Sequence, residues 1–306
     1  MNKKVWMLIF WLMLVVACGV GIWLFGKNNI GLGEAVAGAF IAIFIEKAWN
    51  SFQDLRDTTD WKTSQRRLER DGFIKDDDII RVSFAYLYRI KIGEKYLLVR
   101  NTRNTGKYQP VGGVYKFEGD EKTTLKNQFH VMDDNKIPID ESSRDDYRLR
   151  MENRYLRRFV KRFDSRKAER ERVENISREF KEELVDTSIL NWDRISYRLC
   201  GRHVTELKFG EHFQIYELLL ADIVELLPTA EQEQDLKNLM TMRSDKYRFA
   251  TAEQIICLGT DTGAGQLYEW IGDHTNKILQ ENEGKLLKIA GTGNSYTVSL
   301  RGQGRP

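Results

Sequence analysis

The sequence predicts a two-helix transmembrane hairpin followed by a cytosolic α/β domain with an α/β/α sandwich architecture. Two apolar runs lie near the N-terminus, and the chain after them alternates between strand-like and helix-like segments. An acidic helical segment follows a Gly-Gly turn within that second part. We therefore predict two transmembrane helices within residues 1–50, a connector at 51–72 and an α/β domain at 73–306.

The first transmembrane helix is predicted at residues 5–25, which form a run of 21 residues without a charged side chain. At about 1.5 Å per residue, such a helix crosses the roughly 30 Å hydrocarbon core of a bilayer. A second apolar run follows at 30–46 after a short polar turn, so the two form a hairpin. A cleaved signal peptide is disfavoured because the apolar run continues beyond Cys18 and the second run follows at once.

Charges near the two runs predict the topology. Lys3 and Lys4 precede the first run, whereas a long charged segment follows the second. The positive-inside rule then places both termini in the cytoplasm, which makes the chain a multi-pass membrane protein. Three widely separated cysteines do not form a disulfide framework and suit a reducing compartment.

The second run contains small residues at four-residue spacing, which allow helices to approach closely in lipid. We expect self-association through this face. An acid within the run, Glu34, either has a function in the membrane or reaches water at the interface. The predicted packing residues are Gly31, Glu34, Ala35, Gly38, Ala39 and Ala42.

Strand signals dominate the first part of the α/β domain. Residues 81–92 are rich in aromatic and β-branched side chains, and together with 96–100 they predict a hairpin around Gly93. The segment KYQPVGGVYK at 107–116 ends a strand at two glycines, where the backbone must bend or come close to another group. Residues 117–143 are polar and aperiodic, which predicts a long loop.

The next segment is basic. Residues 144–172 contain twelve Lys or Arg and six acidic side chains. One apolar face predicts an amphipathic helix, which belongs to a charged helical insertion at about 117–165. Its basic face is either solvated or attracts phosphate groups and anionic lipids. Further along, residues 207–222 predict one or two strands, 248–256 a strand that turns into a helix, and 267–279 another amphipathic helix.

The sequence Arg178-Glu179-Phe180-Lys181-Glu182-Glu183 carries the chemistry. On a helix predicted at 169–184, the three glutamates fall at i, i+3 and i+4 and share one face. Like charges at that spacing are unfavourable unless a hard cation such as Mg²⁺ holds them or water separates them. The spacing therefore leaves two alternatives open: Glu179, Glu182 and Glu183 hold a divalent metal, or they are a solvated acidic face.

With the strand pattern and the Pro-x-Gly-Gly turn, this segment resembles the Nudix box, and residues 73–280 resemble a Nudix domain. The second half of the box matches, but the first half is degenerate. Asp164 stands at its initial glycine, Arg170 at its isolated glutamate and Val185-Asp186 at its closing Gly-apolar pair. The resemblance implies that the glutamates hold metal and orient a water, and that Arg178 pairs with a box glutamate. Arg170 weakens the expectation of metal and could contact phosphate directly.

Two transmembrane helices joined to a degenerate Nudix-like domain resemble the transmembrane Nudix-type effectors of bacterial anti-phage cyclic-oligonucleotide signalling (CBASS). This resemblance implies binding of a cyclic di- or trinucleotide made by a partner nucleotidyltransferase. Binding drives homo-oligomerisation in the bacterial inner membrane, membrane disruption and abortive infection. Membrane lipids are further partners, and polymeric nucleic acid is not expected. No cofactor is required, Mg²⁺ being the one candidate.

Arginines suit the phosphates of such a ligand and aromatic side chains suit its bases. The residues expected to bind it flank the Gly-Gly turn or the box, and they are Arg103, Lys107, Tyr108, Gly112, Gly113, Tyr115, Lys116 and Arg170. No catalytic residue is assigned; the box remnant is Arg178, Glu179, Glu182 and Glu183. Two alternatives stay open: a membrane-tethered, Mg-dependent Nudix hydrolase of nucleoside diphosphate derivatives, and a scaffold domain on a membrane anchor.

Overall fold

The computed structural model describes residues 3–28, 31–56, 60–101, 105–136, 143–260 and 269–301. The chain divides into two compact units, residues 1–67 and 68–306. The first elements are the helices α1 (Lys3–Lys27), α2 (Gly31–Arg56) and α3 (Asp60–Arg70). In the described residues, α1 and α2 are long and apolar enough to cross a membrane. The two predicted apolar helices are thus confirmed, although α2 continues ten residues beyond the end predicted at residue 46.

The helices α1 and α2 pack against each other through aromatic and small side chains. The rings of Trp11 and Phe44 lie 6.0 Å apart. A Cβ atom added to Gly33 would lie 2.7 Å from Cγ of Phe25, so only glycine allows this close approach.

The stripe of small residues predicted on α2 does not form the contact with α1. Ala35, Ala39 and Ala42 are exposed, and a Cβ atom at Gly38 would meet nothing within 4 Å. The side chains of Gly31 and Glu34 lie outside the described part of the structure. The described members of the stripe are therefore not used to join α1 and α2 within one chain.

The second unit is a mixed α/β domain, so the predicted fold class is confirmed. Its strands are β1 (Ile79–Arg89), β2 (Lys91–Ile92), β3 (Lys95–Arg100), β4 (Tyr108–Gln109), β5 (Gly112–Val114), β6 (Met132–Asp133), β7 (Arg148–Glu152), β8 (Arg194–Val204), β9 (Lys208–Gly210), β10 (Ile215–Leu226), β11 (Tyr247–Thr251) and β12 (Ser295–Ser299). Its helices are α4 (Glu121–Phe129), α5 (Leu156–Asp164), α6 (Arg178–Phe180), α7 (Ala230–Thr241) and α8 (Ala252–Ile256). Short 3-10 segments lie at Asn153–Tyr155, Asp273–Ile278 and Gln280–Lys285.

Two sheets organise these strands. Within the described residues, the larger sheet has eight strands in the order β12-β8-β10-β1-β7-β6, with β5 added to β1 and β9 to β10. Its central pair, β1 and β10, is parallel and in register from Ile80 opposite Tyr216 to Arg89 opposite Glu225. The smaller sheet has the order β11-β3-β2, with β4 paired to β3.

Both faces of β1 are buried, which explains its central position. On one face Phe84, Tyr86 and Tyr88 are almost completely buried. The ring of Phe84 stacks on that of Phe163 in α5, with centroids 3.7 Å apart. On the other face Leu87 packs in a cluster with residues of β3, β10 and α8. Helices and loops therefore cover the large sheet on both sides.

The predicted hairpin of 81–92 with 96–100 is only partly correct. Residues Lys91 and Ile92 pair with β3 across the turn at Gly93, but the chain before Ile90 belongs to the larger sheet. The local pattern cannot reveal this division, because β1 pairs along its length with β7 and β10, which lie more than sixty positions away in the chain. Two later predictions hold: 207–222 contains two strands, β9 and β10, and 248–256 is β11 followed by α8.

The predicted amphipathic helix at 144–172 is wrong over most of its length. The structure has the strand β7 and then α5. Leu149 and Met151 are buried at a spacing of two in β7, whereas α5 buries Leu156 and Phe163. The basic segment combines a period of two with a helical period, and the two together resemble one helical face.

The segment predicted as a loop at 117–143 contains α4 and β6. Leu125 and Phe129 anchor α4 in the core, and buried Glu121 accepts hydrogen bonds from Arg162 and Tyr147. Residues 137–142 lie outside the described part of the chain, as do 261–268 at the start of the helix predicted for 267–279. The described remainder of that helix is the short 3-10 segment Asp273–Ile278.

Candidate functional site

The Gly-Gly turn holds the box helix against β1. Gly112 has φ +155°, and a Cβ atom there would lie 2.2 Å from the carbonyl oxygen of Tyr86. A Cβ atom on Gly113 would lie 2.0 Å from Oε1 of Glu179. The amide of Gly112 donates to Oε2 of Glu183 at 3.0 Å. Glycine is required here because backbone and box carboxylates share this small space.

The box helix is shorter than predicted. Residues 169–171 are extended instead, since the amide of Glu171 donates to the carbonyl of Lys116 at 2.9 Å. Helix α6 begins at Arg178 and continues directly as a π-helix at Lys181–Val185. A π-helix has a wider turn than an α-helix and is frequent at functional sites. The three glutamates are therefore not spaced as on the regular helix that the sequence predicted.

Arg178 lies at the centre of the box region. Its Nη2 donates to the carbonyl of Val114 at 2.9 Å and to Oε2 of Glu171 at 3.3 Å. Its Nη1 donates to Oε1 of Glu179. Burial lowers the pKa of Arg178, but the neighbouring Tyr86, Glu171 and Glu179 raise it above its ordinary value. The guanidinium therefore stays charged and holds two carboxylates.

Glu171, not Arg170, occupies the place beside the box arginine. The hydroxyl of Tyr86 donates to Oε1 of Glu171 at 3.3 Å. Burial raises the pKa of both Glu171 and Glu179, and Arg178 opposes that rise. The alignment that put Arg170 at the isolated glutamate was thus wrong by one residue. Allowing the spacing between the isolated glutamate and the arginine to be one residue shorter than in the standard box, six residues instead of seven, would have found Glu171.

Arg170 has packing contacts. Its guanidinium lies 3.7 Å from the ring centre of Phe163 and 5.1 Å from that of Tyr115. Its Nε donates to the carbonyl of Phe163 at 2.9 Å, and its Nη1 donates to that of Glu171 at 2.7 Å. Burial lowers its pKa. These contacts fix the segment before the box helix.

The box carboxylates are directed to protein partners. Glu179 binds Arg178, Glu183 binds the amide of Gly112, and Glu182 is exposed. In the described residues, no three His, Cys, Asp or Glu side chains converge in a way that could hold a metal ion. The arrangement thus does not itself provide a metal donor set. A cation at Glu179, Glu182 and Glu183 stays a prediction from the resemblance.

The residues predicted to bind a ligand are dispersed. The hydroxyl of buried Tyr115 donates to Oδ2 of Asp222 at 2.8 Å. The Nζ of Lys107 donates to Glu269 at 3.0 Å, and that of Lys116 donates to Asp146. Arg103 lies outside the described residues. Gly112 and Gly113 belong to the box region, and Arg170 packs near it. Tyr108 instead lines a cleft on the smaller sheet.

The cleft beside Tyr108 has a volume of about 430 Å³ and lies on the smaller sheet. The sequence did not reveal this cleft. We name it the arginine cleft. Its wall includes Arg100, Tyr108, Arg243, Asp245, Arg248 and Trp270. These residues come from β3, β4, β11 and the segments beside them. The one signal in the sequence was the closely spaced pair Arg243 and Arg248, which had no recognisable motif around it.

A family model identifies the family of the α/β domain. The family model described as the SMODS-associated NUDIX domain matches residues 79–279, about two thirds of the chain. The chain belongs to this family. Searches among curated proteins and among solved structures found no match.

The SMODS-associated NUDIX domain contains both regions described above. The box region, from Gly112 to Glu183, and the arginine cleft, from Arg100 to Trp270, lie inside the matched residues. The two apolar helices α1 and α2 lie outside them. Membership of this family suggests a CBASS-associated effector, and the apolar helices indicate membrane association.

Proposed function

We propose that the chain is a membrane effector of a bacterial antiviral CBASS system. Its Nudix-like domain binds a cyclic di- or trinucleotide supplied by a partner nucleotidyltransferase. Binding drives oligomerisation of the transmembrane helices, disruption of the inner membrane and abortive infection. The observation that carries the proposal is the union, in one chain, of a SMODS-associated NUDIX domain with two helices able to cross a membrane.

The box region supplies a fixed support for the proposed binding site. Arg178 holds Glu171 and Glu179, and the amide of Gly112 holds Glu183. Because these carboxylates are bound to the protein, the region is suited to fixing the turn and helix on which a receptor depends.

The membrane helices support assembly of several copies. The exposed small residues Ala35, Ala39 and Ala42 on α2 are not used within the chain, and small residues allow close approach between helices in lipid. In this proposal both termini lie in the cytoplasm. A ligand that binds the assembled state better than the separate chains shifts the population toward assembly.

The first experiment titrates the full-length protein in detergent with cyclic di- and trinucleotides and with linear dinucleoside polyphosphates. Each titration is made with and without Mg²⁺, and both binding and product formation are followed. We expect one cyclic species to bind without turnover. Failure of every cyclic species to bind would contradict the proposal.

A second experiment tests the output in the membrane. Gly38→Leu adds a side chain where a Cβ atom meets nothing within 4 Å, so it leaves the contact between α1 and α2 intact. We expect it to abolish ligand-dependent dye release from vesicles and to leave ligand affinity unchanged. Gly19→Leu, which also has open space around its Cβ atom, is the matched control on α1. Dye release that is unchanged in Gly38→Leu would contradict assembly through the small-residue face.

The second candidate is a membrane-tethered, Mg-dependent Nudix hydrolase of nucleoside diphosphate derivatives. It is favoured by Glu171, which puts an acid beside Arg178 as the box requires. The variant Glu182→Gln separates the two functions, since this exposed carboxylate has no role in the receptor proposal. Loss of membrane damage in Glu182→Gln, with ligand affinity retained, would favour the hydrolase.

A further inference from the structure

The arginine cleft is large enough for a small ligand. Its volume of about 430 Å³ is in the lower part of the range for small-molecule pockets and suits about one nucleotide. The cleft contains none of the box residues. It is therefore a candidate site that the Nudix motif does not describe.

The charge in the cleft is strongly positive. Arg100, Arg243 and Arg248 line it together with one carboxylate, Asp245. That carboxylate lies 3.9 Å from Nη1 of Arg100, which is a loose contact between two exposed side chains. Within the described part of the chain, neither Arg243 nor Arg248 forms an ion pair. Arginine binds phosphate oxygens with two parallel N–H groups, so a phosphate or phosphodiester is the chemical class that this charge favours.

The aromatic side of the cleft is rigid. The rings of Tyr108 and Trp270 lie 5.9 Å apart in an edge-to-face arrangement, and the guanidinium of Arg248 lies about 5 Å from each. The amide of Tyr108 donates to the carbonyl of Trp270 at 2.8 Å, and the Tyr108 hydroxyl donates to the backbone carbonyl of Asp245 at 2.8 Å. A Cβ atom on Gly259 would lie 2.4 Å from the indole, which is therefore closely supported.

Such a platform suits a flat base. Aromatic rings and arginine planes stack on nucleobases, and a surface that is already fixed loses little entropy when the ligand binds. Free inorganic phosphate would use the arginines but not the rings. The combination of three arginines with Trp270 therefore favours a nucleotide over a simple anion.

The cleft is connected to the end of the box helix. The Nζ of Lys246, next to Asp245, donates to the carbonyl of Thr187 at 3.0 Å. The hydroxyl of Thr187 donates in turn to the carbonyl of Glu183 at 2.8 Å. A ligand in the cleft would thus contact a segment that is tied to the Gly-Gly turn through Glu183.

We propose that the arginine cleft binds one nucleotide unit of the cyclic di- or trinucleotide. Arg100 and Arg243 contact its phosphodiester group, and its base stacks on the platform of Trp270 and Arg248. This inference rests on the proposed function and assigns its ligand to a site outside the Nudix box.

The test uses the full-length protein in detergent. The probes are fluorescent cyclic di- and trinucleotides built from adenine, guanine, cytosine and uracil. We expect Arg243→Glu and Arg248→Glu each to weaken binding of the recognised probe about tenfold or more, and Arg243→Lys to weaken it less. Arg194→Glu, at an exposed arginine on β8 outside the cleft, is the matched control. Circular dichroism checks that each variant is folded.

Competition by a nucleoside monophosphate and by inorganic phosphate then distinguishes the contribution of the base to binding from that of the phosphate group. We expect the monophosphate of the recognised base to displace the probe and inorganic phosphate to displace it much less. Affinity within twofold of the wild type in both folded cleft variants would overturn the assignment while leaving the proposed function intact. Equal displacement by phosphate would overturn the stacking of the base. No binding of any probe by the wild type would overturn the proposed function and this inference together.

Discussion

The box region and the arginine cleft have opposite arrangements of charge. In the box, Arg178 is surrounded by Glu171 and Glu179, and the protein itself satisfies both carboxylates. In the cleft, three arginines accompany one aspartate, and Arg243 has no ion pair within the described residues. The difference teaches that a recognised motif can hold the fold, and it is the reason for proposing that the ligand binds where the protein leaves its charges without a counter-ion.

The two arrangements of charge differ in what the removal of one charge does to the free energy of unfolding. Removing a charge from the box leaves buried partners without compensation, which lowers the free energy of unfolding. Removing a charge from the exposed cleft should relieve repulsion and, under the proposal for the cleft, weaken ligand binding instead. The predictions below test that contrast, from the largest expected effect to the smallest.

The largest effect is expected from Gly112→Ala in the box region. Its Cβ atom would lie 2.2 Å from the carbonyl oxygen of Tyr86, so the turn must move away from β1. We expect a loss of about 3 to 4 kcal/mol in the free energy of unfolding, measured by urea titration of the full chain in detergent. Gly93→Ala is the control, because Gly93 also has positive φ but open space around a Cβ atom, and about 1 kcal/mol is expected. Equal losses would show that the close contact has little importance.

The same arginine-to-methionine change in both regions compares them most directly. Arg178→Met leaves Glu171 and Glu179 without their counter-ion, and we expect a loss of about 2 to 4 kcal/mol. Arg248→Met removes an exposed side chain and should change the free energy of unfolding by about 0.5 kcal/mol or less. Urea unfolding measures both. A larger loss for Arg248→Met than for Arg178→Met would reverse the comparison.

Acid should destabilise the domain through histidines outside both regions. Burial lowers the pKa of His203 and His274 to about 4, below the ordinary value of 6.5. The unfolded chain then binds more protons between pH 6.5 and 4, so stability falls as the pH falls through that range. We expect about 1 to 2 kcal/mol for each histidine, since both are partly exposed.

The measurement compares unfolding at pH 7 and pH 4.5. His274→Gln should reduce the acid-dependent loss, whereas His212→Gln, on an exposed histidine, should not. A loss that is identical in the wild type and His274→Gln would contradict this origin. Variants of the cleft and variants of the box are therefore best compared between pH 7 and 8, where these histidines stay neutral.

The smallest effect is expected for Glu182→Gln. Glu182 is the box carboxylate that is exposed, so we expect a change of about 0.5 kcal/mol or less in the free energy of unfolding. We also expect about 10 mM MgCl₂ to shift the midpoint of urea unfolding equally in this variant and in the wild type. A Mg²⁺-dependent stabilisation that Glu182→Gln removes would show metal bound at the box and would favour the hydrolase.

The local pattern of the sequence predicted some elements well and others poorly. The apolar helices and the β11-α8 segment follow from composition and periodicity over neighbouring residues. The prediction of one helix at 144–172 is wrong because the period of two in β7 and the helical period in α5 follow each other directly. The strand β1 was recognised, but its parallel partner β10 is more than one hundred residues away in the chain.

The sequence by itself determined the two apolar helices, the α/β class and the presence of the Arg-Glu-x-x-Glu-Glu segment of the box. These follow from side-chain period and residue type, which act over a few neighbouring positions. Tertiary structure decided that Glu171 rather than Arg170 meets Arg178, because the extended pairing with Lys116 sets that register. It also assembled the arginine cleft from Arg100, Tyr108, Arg243 and Trp270. Residues so far apart in the chain become neighbours only when the strands of the smaller sheet pair.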